Sequence, residues 1–340
     1  MNAQNSPVYL RTYLAPLACF LQRTDVTDVF INRPGELWVE TLSGAIERHP
    51  VAELEETTLW RLARQIASVS HQGISPEHPL LSATLPGGER VQIIAPPATR
   101  GTLVFALRKH VVANLSLQDF DREGAFCRTY TGRGISDEES MNAELRALLD
   151  TGRTIEFIRL AVRSRKNIVI SGGTSTGKTT LLNALLKEIP DQERLILIED
   201  APEVQISNEN AIGLIAARGD TGEAQVTSDD LVQASLRLRP DRIILGELRG
   251  REAASFLRAV NTGHPGSITT LHADSPDGAV DQLSLLVLQA GLNLRRSEIR
   301  EYVRGIVDIF IQVSRREGRR VVSQVHFSPR ISCSTHCSAA

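Results

Sequence analysis

Residues 172–179 read Gly-Gly-Thr-Ser-Thr-Gly-Lys-Thr, a complete GxxxxGK[ST] phosphate loop, and no other segment constrains the chain as strongly. Ahead of it, Asn167-Ile-Val-Ile-Ser171 has the make-up of a short buried strand. Behind it, the run from Thr180 to Glu188 has the helix formers and apolar spacing of an amphipathic helix. A strand–loop–helix unit turns backbone N–H groups inward on phosphates, and the helix N-terminus adds partial positive charge. Gly172 and Gly177 permit the tight backbone, and Gly173, Thr174, Ser175, Thr176 and Thr180 complete the cradle. Lys178 is expected to reach the terminal phosphates and Thr179 to offer its hydroxyl to Mg²⁺. The pattern implies a nucleoside triphosphate with Mg²⁺.

At 340 residues the chain is long enough for two domains, each with its own core. A formal net charge of −2, from 38 basic and 40 acidic side chains, gives no global field for nucleic acid. A local patch remains, Arg315-Arg316 with Arg319-Arg320. With 4% aromatic residues, base-stacking platforms are scarce, and no direct sequence-specific nucleic-acid binding is expected. No apolar run approaches the roughly 20 residues that cross a bilayer, and the first residues lack a signal peptide's basic and apolar regions. A cytoplasmic protein is expected. Cys19, Cys127, Cys333 and Cys337 read as thiols in a reducing compartment. A zinc site at Cys333, His336 and Cys337 lacks a matching second ligand pair.

Residues 1–125 read as an α+β domain. Asp28–Asn32 and Glu36–Glu40 are strand-like runs around Arg-Pro-Gly, and Leu59, Leu62, Ala63, Ile66 and Ala67 recur at helical spacing. Further strand-like runs cover Glu89–Ile94 and Thr102–Leu107. A polar stretch predicts a linker over 126–142, and residues 331–340 read as a disordered tail. Between them, 143–330 reads as an α/β domain. Its strand-like runs at Arg194–Ile198, Arg242–Leu245 and Ser267–Leu271 are separated by lengths that hold crossover helices, so a mostly parallel sheet is expected. Asp308–Val313 and Val321–Phe327 read as a hairpin around Glu317-Gly318.

A phosphate loop needs an acidic partner at the end of another strand to hold Mg²⁺ and orient water. Glu199-Asp200 and Glu247 each end an apolar run, where ligands bind in open α/β sheets. Alternation along a strand turns Asp200 away from the face that Glu199 uses. His264 and His272 flank the Ser267–Leu271 run, and either can face the γ-phosphate or a neighbouring subunit, His272 being the stronger candidate.

The stretch from Ser171 to Leu283 resembles the secretion-ATPase superfamily. It has the phosphate loop, an acidic box at Leu197–Glu203, the Walker B segment Arg239–Arg249 and a histidine box from Thr262-Gly-His to His272. Ser-Gly-Gly-Thr-Ser-Thr-Gly-Lys-Thr-Thr, Gly-Glu-Leu-Arg-Gly and Asn-Thr-Gly-His-Pro-Gly-Ser look like the traffic ATPases of type IV secretion and conjugation systems, the VirB-eleven type. Ile31–Trp38 and Gly87–Ile93 are similar to the same group. The resemblance implies a RecA-like ATPase domain behind a smaller α+β domain, and a homohexameric ring that powers substrate transport or pilus assembly. It also implies contacts with other type IV secretion ATPases and inner-membrane subunits, with peripheral association at the inner membrane's inner face. Arginines of the N-terminal domain then close on the phosphates, and Arg90 and Arg108 match that pattern. Catalysis is expected from Lys178, Glu199 and Glu247, the last with Thr179 at Mg²⁺, and the two glutamates can exchange roles. A type II secretion or pilus motor, a nucleotide-gated scaffold and a DNA-dependent motor remain the alternatives.

Overall fold

The computed structural model describes residues 7–109, 116–122, 124–127, 129, 137–217, 223–291 and 293–329. Helix α1 (Pro7–Gln22) is followed by β1 (Val26–Ile31), β2 (Glu36–Thr41), β3 (Ile46–Pro50), α2 (Glu56–Val69), β4 (Leu80–Thr84), β5 (Arg90–Ile94) and β6 (Val104–Arg108). These strands form one sheet in the order β3-β2-β1-β6-β5-β4, antiparallel throughout. Successive strand residues point to opposite faces, and this sheet buries both. Val29, Ile31, Leu37 and Val39 join α2 residues Leu59, Leu62 and Ile66 in one core. Phe30 and Trp38 point the other way and enter the core of the second sheet's unit. Strand β2 is therefore buried along its whole length.

Helix α3 (Leu117–Arg122) precedes the stretch read as a linker, and α4 (Asp137–Asp150) begins inside it. Asp137, Glu138 and Glu139 suit the positive end of that helix. Residues 128 and 130–136 of the stretch, and the expected tail at 331–340 with Cys333, His336 and Cys337, lie outside the described residues.

After α5 (Thr154–Arg163) come β7 (Ile168–Ser171), α6 (Lys178–Leu186), β8 (Leu195–Glu199), β9 (Ala211–Ile215), α7 (Ser228–Ser235) and β10 (Arg242–Leu245). Helix α8 (Glu252–Asn261), β11 (Ile268–Leu271), α9 (Pro276–Gln289), α10 (Arg296–Ile306), β12 (Ile309–Arg316) and β13 (Arg319–Phe327) complete the chain's order. The second sheet runs β13-β12-β7-β11-β10-β8-β9. Its neighbours are parallel except β12 with β13. Parallel strands covered on both faces must be apolar along their length, and β7, β8 and β10 are buried at every position. This is the α/β architecture with a mostly parallel sheet. Because the strands run the same way, the loops leaving β7, β8, β10 and β11 gather along one end of the sheet.

The N-terminal unit docks on the β9 edge. Thr99 bridges to Leu214, the Arg100 N–H donates to the Gly213 carbonyl at 2.9 Å, and the Ile215 N–H donates to the Ala98 carbonyl at 3.0 Å. Beneath this seam Arg194 is fully buried, its guanidinium 4.0 Å from the Phe30 ring centroid. Its Nη1 donates to Asn32 Oδ1 at 2.9 Å and to Asn210 Oδ1 at 2.5 Å. Burial pushes the guanidinium down to about 9, still above neutral pH, so it stays charged.

Candidate nucleotide site

The turn after β7 owes its shape to two residues in the left-handed region, Ser175 at φ 60° and Gly177 at φ 100°. Glycine adopts that conformation without strain, and the resulting turn directs successive N–H groups into one concavity. Gly172 has no room for a side chain, since a Cβ there would stand 2.6 Å from the Val313 carbonyl oxygen. The loop from Thr174 to Thr180 lines a cavity of about 270 Å³ with Glu199, Glu247 and His272. Gly172 and Gly173 form its stem, and their carbonyls accept from Lys178 Nζ at 3.0 and 3.1 Å. Burial holds the Lys178 ammonium below the ordinary lysine value; Glu247 opposes this and Arg249 adds to it.

The two glutamates differ in their surroundings. Glu199 is buried; its Oε1 accepts the backbone N–H groups of Glu203 at 3.1 Å and Val204 at 2.8 Å. Its Oε2 is paired with the Arg100 guanidinium, which also donates to the Val204 carbonyl at 2.8 Å. Arg100 comes from the N-terminal unit and crosses over Gly213, where any side chain would collide with it. Glu247 Oε2 accepts from Arg249 Nε at 2.6 Å, and Arg249 also stands 3.3 Å from Asp200. Glu247 Oε1 lies 2.6 Å from His272 Nε2. That contact is an ion pair when His272 is protonated and is not a hydrogen bond; the oxygen is buried with no hydrogen-bond partner among the described residues. A buried carboxylate oxygen lacking a donor, in one pocket with the Thr179 hydroxyl, fits a divalent cation.

Other sequence candidates lie elsewhere. His264 Nδ1 contacts the Pro240 carbonyl at 3.0 Å, burial holds its imidazole below the ordinary value, and it does not line the nucleotide pocket. Arg90 and Arg108 do not reach the phosphate loop of their own chain. They line a separate cavity of about 430 Å³ between the two units, together with Asp28, Gln92, Arg237 and Arg239. The N-terminal arginine that does approach the site, Arg100, gave no sequence signal, because Pro-Pro-Ala-Thr-Arg-Gly reads only as a turn.

Replacing Arg100 by Gln leaves the Glu199 carboxylate without its cation. We expect a loss of about 1–3 kcal/mol in denaturant unfolding, partly recovered in Arg100→Lys. Equal midpoints for the three proteins would show that the pair contributes nothing to the dock.

A family model for "Type II/IV secretion system protein" matches residues 12–338. The chain belongs to that family. A type IV secretion system protein VirB11 of Bartonella quintana is 38% identical over 332 residues, covering 94% of this chain and 92% of that protein. The type IV secretion system protein PtlH of Bordetella pertussis is 39% identical, over 91% and 93%. The crystal structure of the Brucella suis VirB11 ATPase, in complex with sulphate, superposes with a TM-score of 0.87 at 35% identity, over 94% of each chain. This member of the Type II/IV secretion system family is thus a VirB11-like type IV secretion ATPase. No helix among its described residues is long and apolar enough to cross a membrane.

Proposed function

We propose that the chain hydrolyses ATP with Mg²⁺ as a homohexameric ring and powers substrate transport, pilus assembly or both in a type IV secretion (conjugation) system. The observation that carries this reading is the single pocket in which Lys178, Thr179, Glu199, Glu247 and His272 meet around a left-handed phosphate loop. Lys178 neutralises the β- and γ-phosphates, and the loop N–H groups fix their oxygens. Thr179 and Glu247 would hold Mg²⁺, which would supply positive charge to offset that of the phosphates. Glu199 orients and polarises the attacking water once Arg100 lets go of it. His272 sits against Glu247 at the terminal-phosphate end.

The resemblance puts the nucleotide between the two domains of one protomer, with Arg90 and Arg108 closing on it. The two arginines instead line a different cavity of their own chain, so a role at a γ-phosphate would be exercised on a neighbouring subunit. That requirement favours the ring. Residues 1–125 and 143–330 act as two domains, and turnover is felt in the first through Arg100, whose partner Glu199 faces the nucleotide. The ring works in the cytoplasm, docked peripherally on the inner membrane through inner-membrane subunits and beside other secretion ATPases.

Steady-state phosphate release over a range of protein concentrations, alongside light scattering, tests this. Turnover should require Mg²⁺, vanish on chelation and rise as the ring forms. A hexamer that binds ATP but releases no phosphate would return the protein to a nucleotide-gated scaffold, the state that the engaged Glu199 resembles.

A further inference from the structure

The terminal hairpin carries Arg315, Arg316, Arg319 and Arg320 around its turn. Its register pairs Arg315 with Arg320 and Arg316 with Arg319, and directly opposed residues share a face. The face bearing Arg320 meets the phosphate loop. A Cβ on Gly177 would stand 2.9 Å from Arg320 Cδ and 3.7 Å from its Nε, and Arg320 lines the nucleotide pocket. The side chain is otherwise exposed, with no ion pair among the described residues. The pocket that Arg320 lines holds Lys178 and Arg249 together with the carboxylates of Glu199, Asp200, Glu203 and Glu247. Beside Gly177 and the positive end of α6, a guanidinium with no ion pair of its own is placed to meet an anion on the loop.

Sheet order decides which part of the anion Arg320 meets. Strand β7 carries the loop; β8 and β10, which end in Glu199 and lead into Glu247, lie to one side of it, and the β12–β13 hairpin lies to the other. A nucleotide with its terminal phosphate toward the carboxylates has its nucleoside end toward the hairpin. We propose that Arg320 binds the nucleoside end of ATP, its guanidinium on the α-phosphate, so that the C-terminal hairpin closes the loop from the side opposite the catalytic carboxylates. This rests on the ATPase reading of the pocket.

The test is calorimetric titration of ADP and of a non-hydrolysable ATP analogue into wild type, Arg320→Ala and Arg320→Lys, with steady-state kinetics beside it. Arg320→Ala should weaken both nucleotides by the same factor, about tenfold, as for loss of one charge-assisted hydrogen bond. KM for ATP should rise by that factor while kcat stays within about twofold, and Arg320→Lys should recover part of the affinity. Unchanged affinities overturn the inference. So does a loss confined to the triphosphate analogue, which would put Arg320 at the γ-phosphate. A wild type that binds neither nucleotide instead overturns the ATPase reading itself.

Discussion

Lys178→Ala should cut ATP turnover by about two to three orders of magnitude, the range seen when one preorganised group facing developing charge is removed. The lysine is the cation folded directly over the loop, on the Gly172 and Gly173 carbonyls. A nucleotide would exchange those carbonyls for phosphate oxygens, so nucleotide affinity should fall together with rate. Glu247→Gln should separate the two quantities. It keeps the shape of the side chain but loses the charge that faces Lys178 and Thr179, so nucleotide should still bind while phosphate release falls by a similar order. Single-turnover release beside nucleotide titration reads both. A Lys178→Ala protein that turns over at the wild-type rate would remove the phosphate loop from the mechanism.

The second large effect is on stability, at the opposite end of the same sheet. Arg242 opens β10, fully buried, and its Nε and Nη2 grip Glu193 at 2.6 and 2.8 Å. Its Nη1 donates to the Val162 carbonyl at 2.7 Å. Beside it Gly266, at φ 81°, leaves the space that a Cβ would take, 2.7 Å from Nη1. Arg242→Ala leaves the buried Glu193 carboxylate with only the half-exposed Arg165, 3.3 Å away, and we expect about 3 kcal/mol of destabilisation in urea unfolding. The double variant Arg242→Met/Glu193→Leu should recover most of it, because a buried ion pair replaced by apolar groups of like volume is often neutral. A double variant as unstable as the single one would show that the backbone contacts, and not the pair, hold this corner. Because Glu247 lies beyond the far end of β10, KM for ATP should not change in the folded fraction.

The parallel strands were legible in the sequence for a physical reason. β7, β8 and β10 are buried on both faces, so their apolar runs are unbroken and their polar ends mark the ligand side. Helix α2 was legible too, since Leu59, Leu62, Ala63, Ile66 and Ala67 are its buried stripe. Strand β9 was not: Ala-Ile-Gly-Leu-Ile has a glycine at its centre, where Arg100 crosses, and glycine argues against a strand interior. Helix α1 carries Pro16 inside it, a residue that normally argues against a helix interior. The same limit applies at the site. Lys178, Thr179, Glu199, Glu247 and His272 sit at or just beyond strand ends that converge by topology alone. Arg100 and Arg320 arrive from a turn and a hairpin tip, and their approach depends on how distant segments pack, which local sequence does not encode.

The seam between Thr99 and Leu214 has a consequence beyond the nucleotide. Strand β9 is the outermost strand of the parallel sheet on that side, and an uncovered sheet margin presents a template for indiscriminate pairing between copies. The first unit's own backbone occupies part of that margin, with backbone hydrogen bonds at Gly213 and Ile215. It thereby acts as a built-in guard against self-aggregation, and an ATPase unit cut free of it would carry an adhesive border into solution.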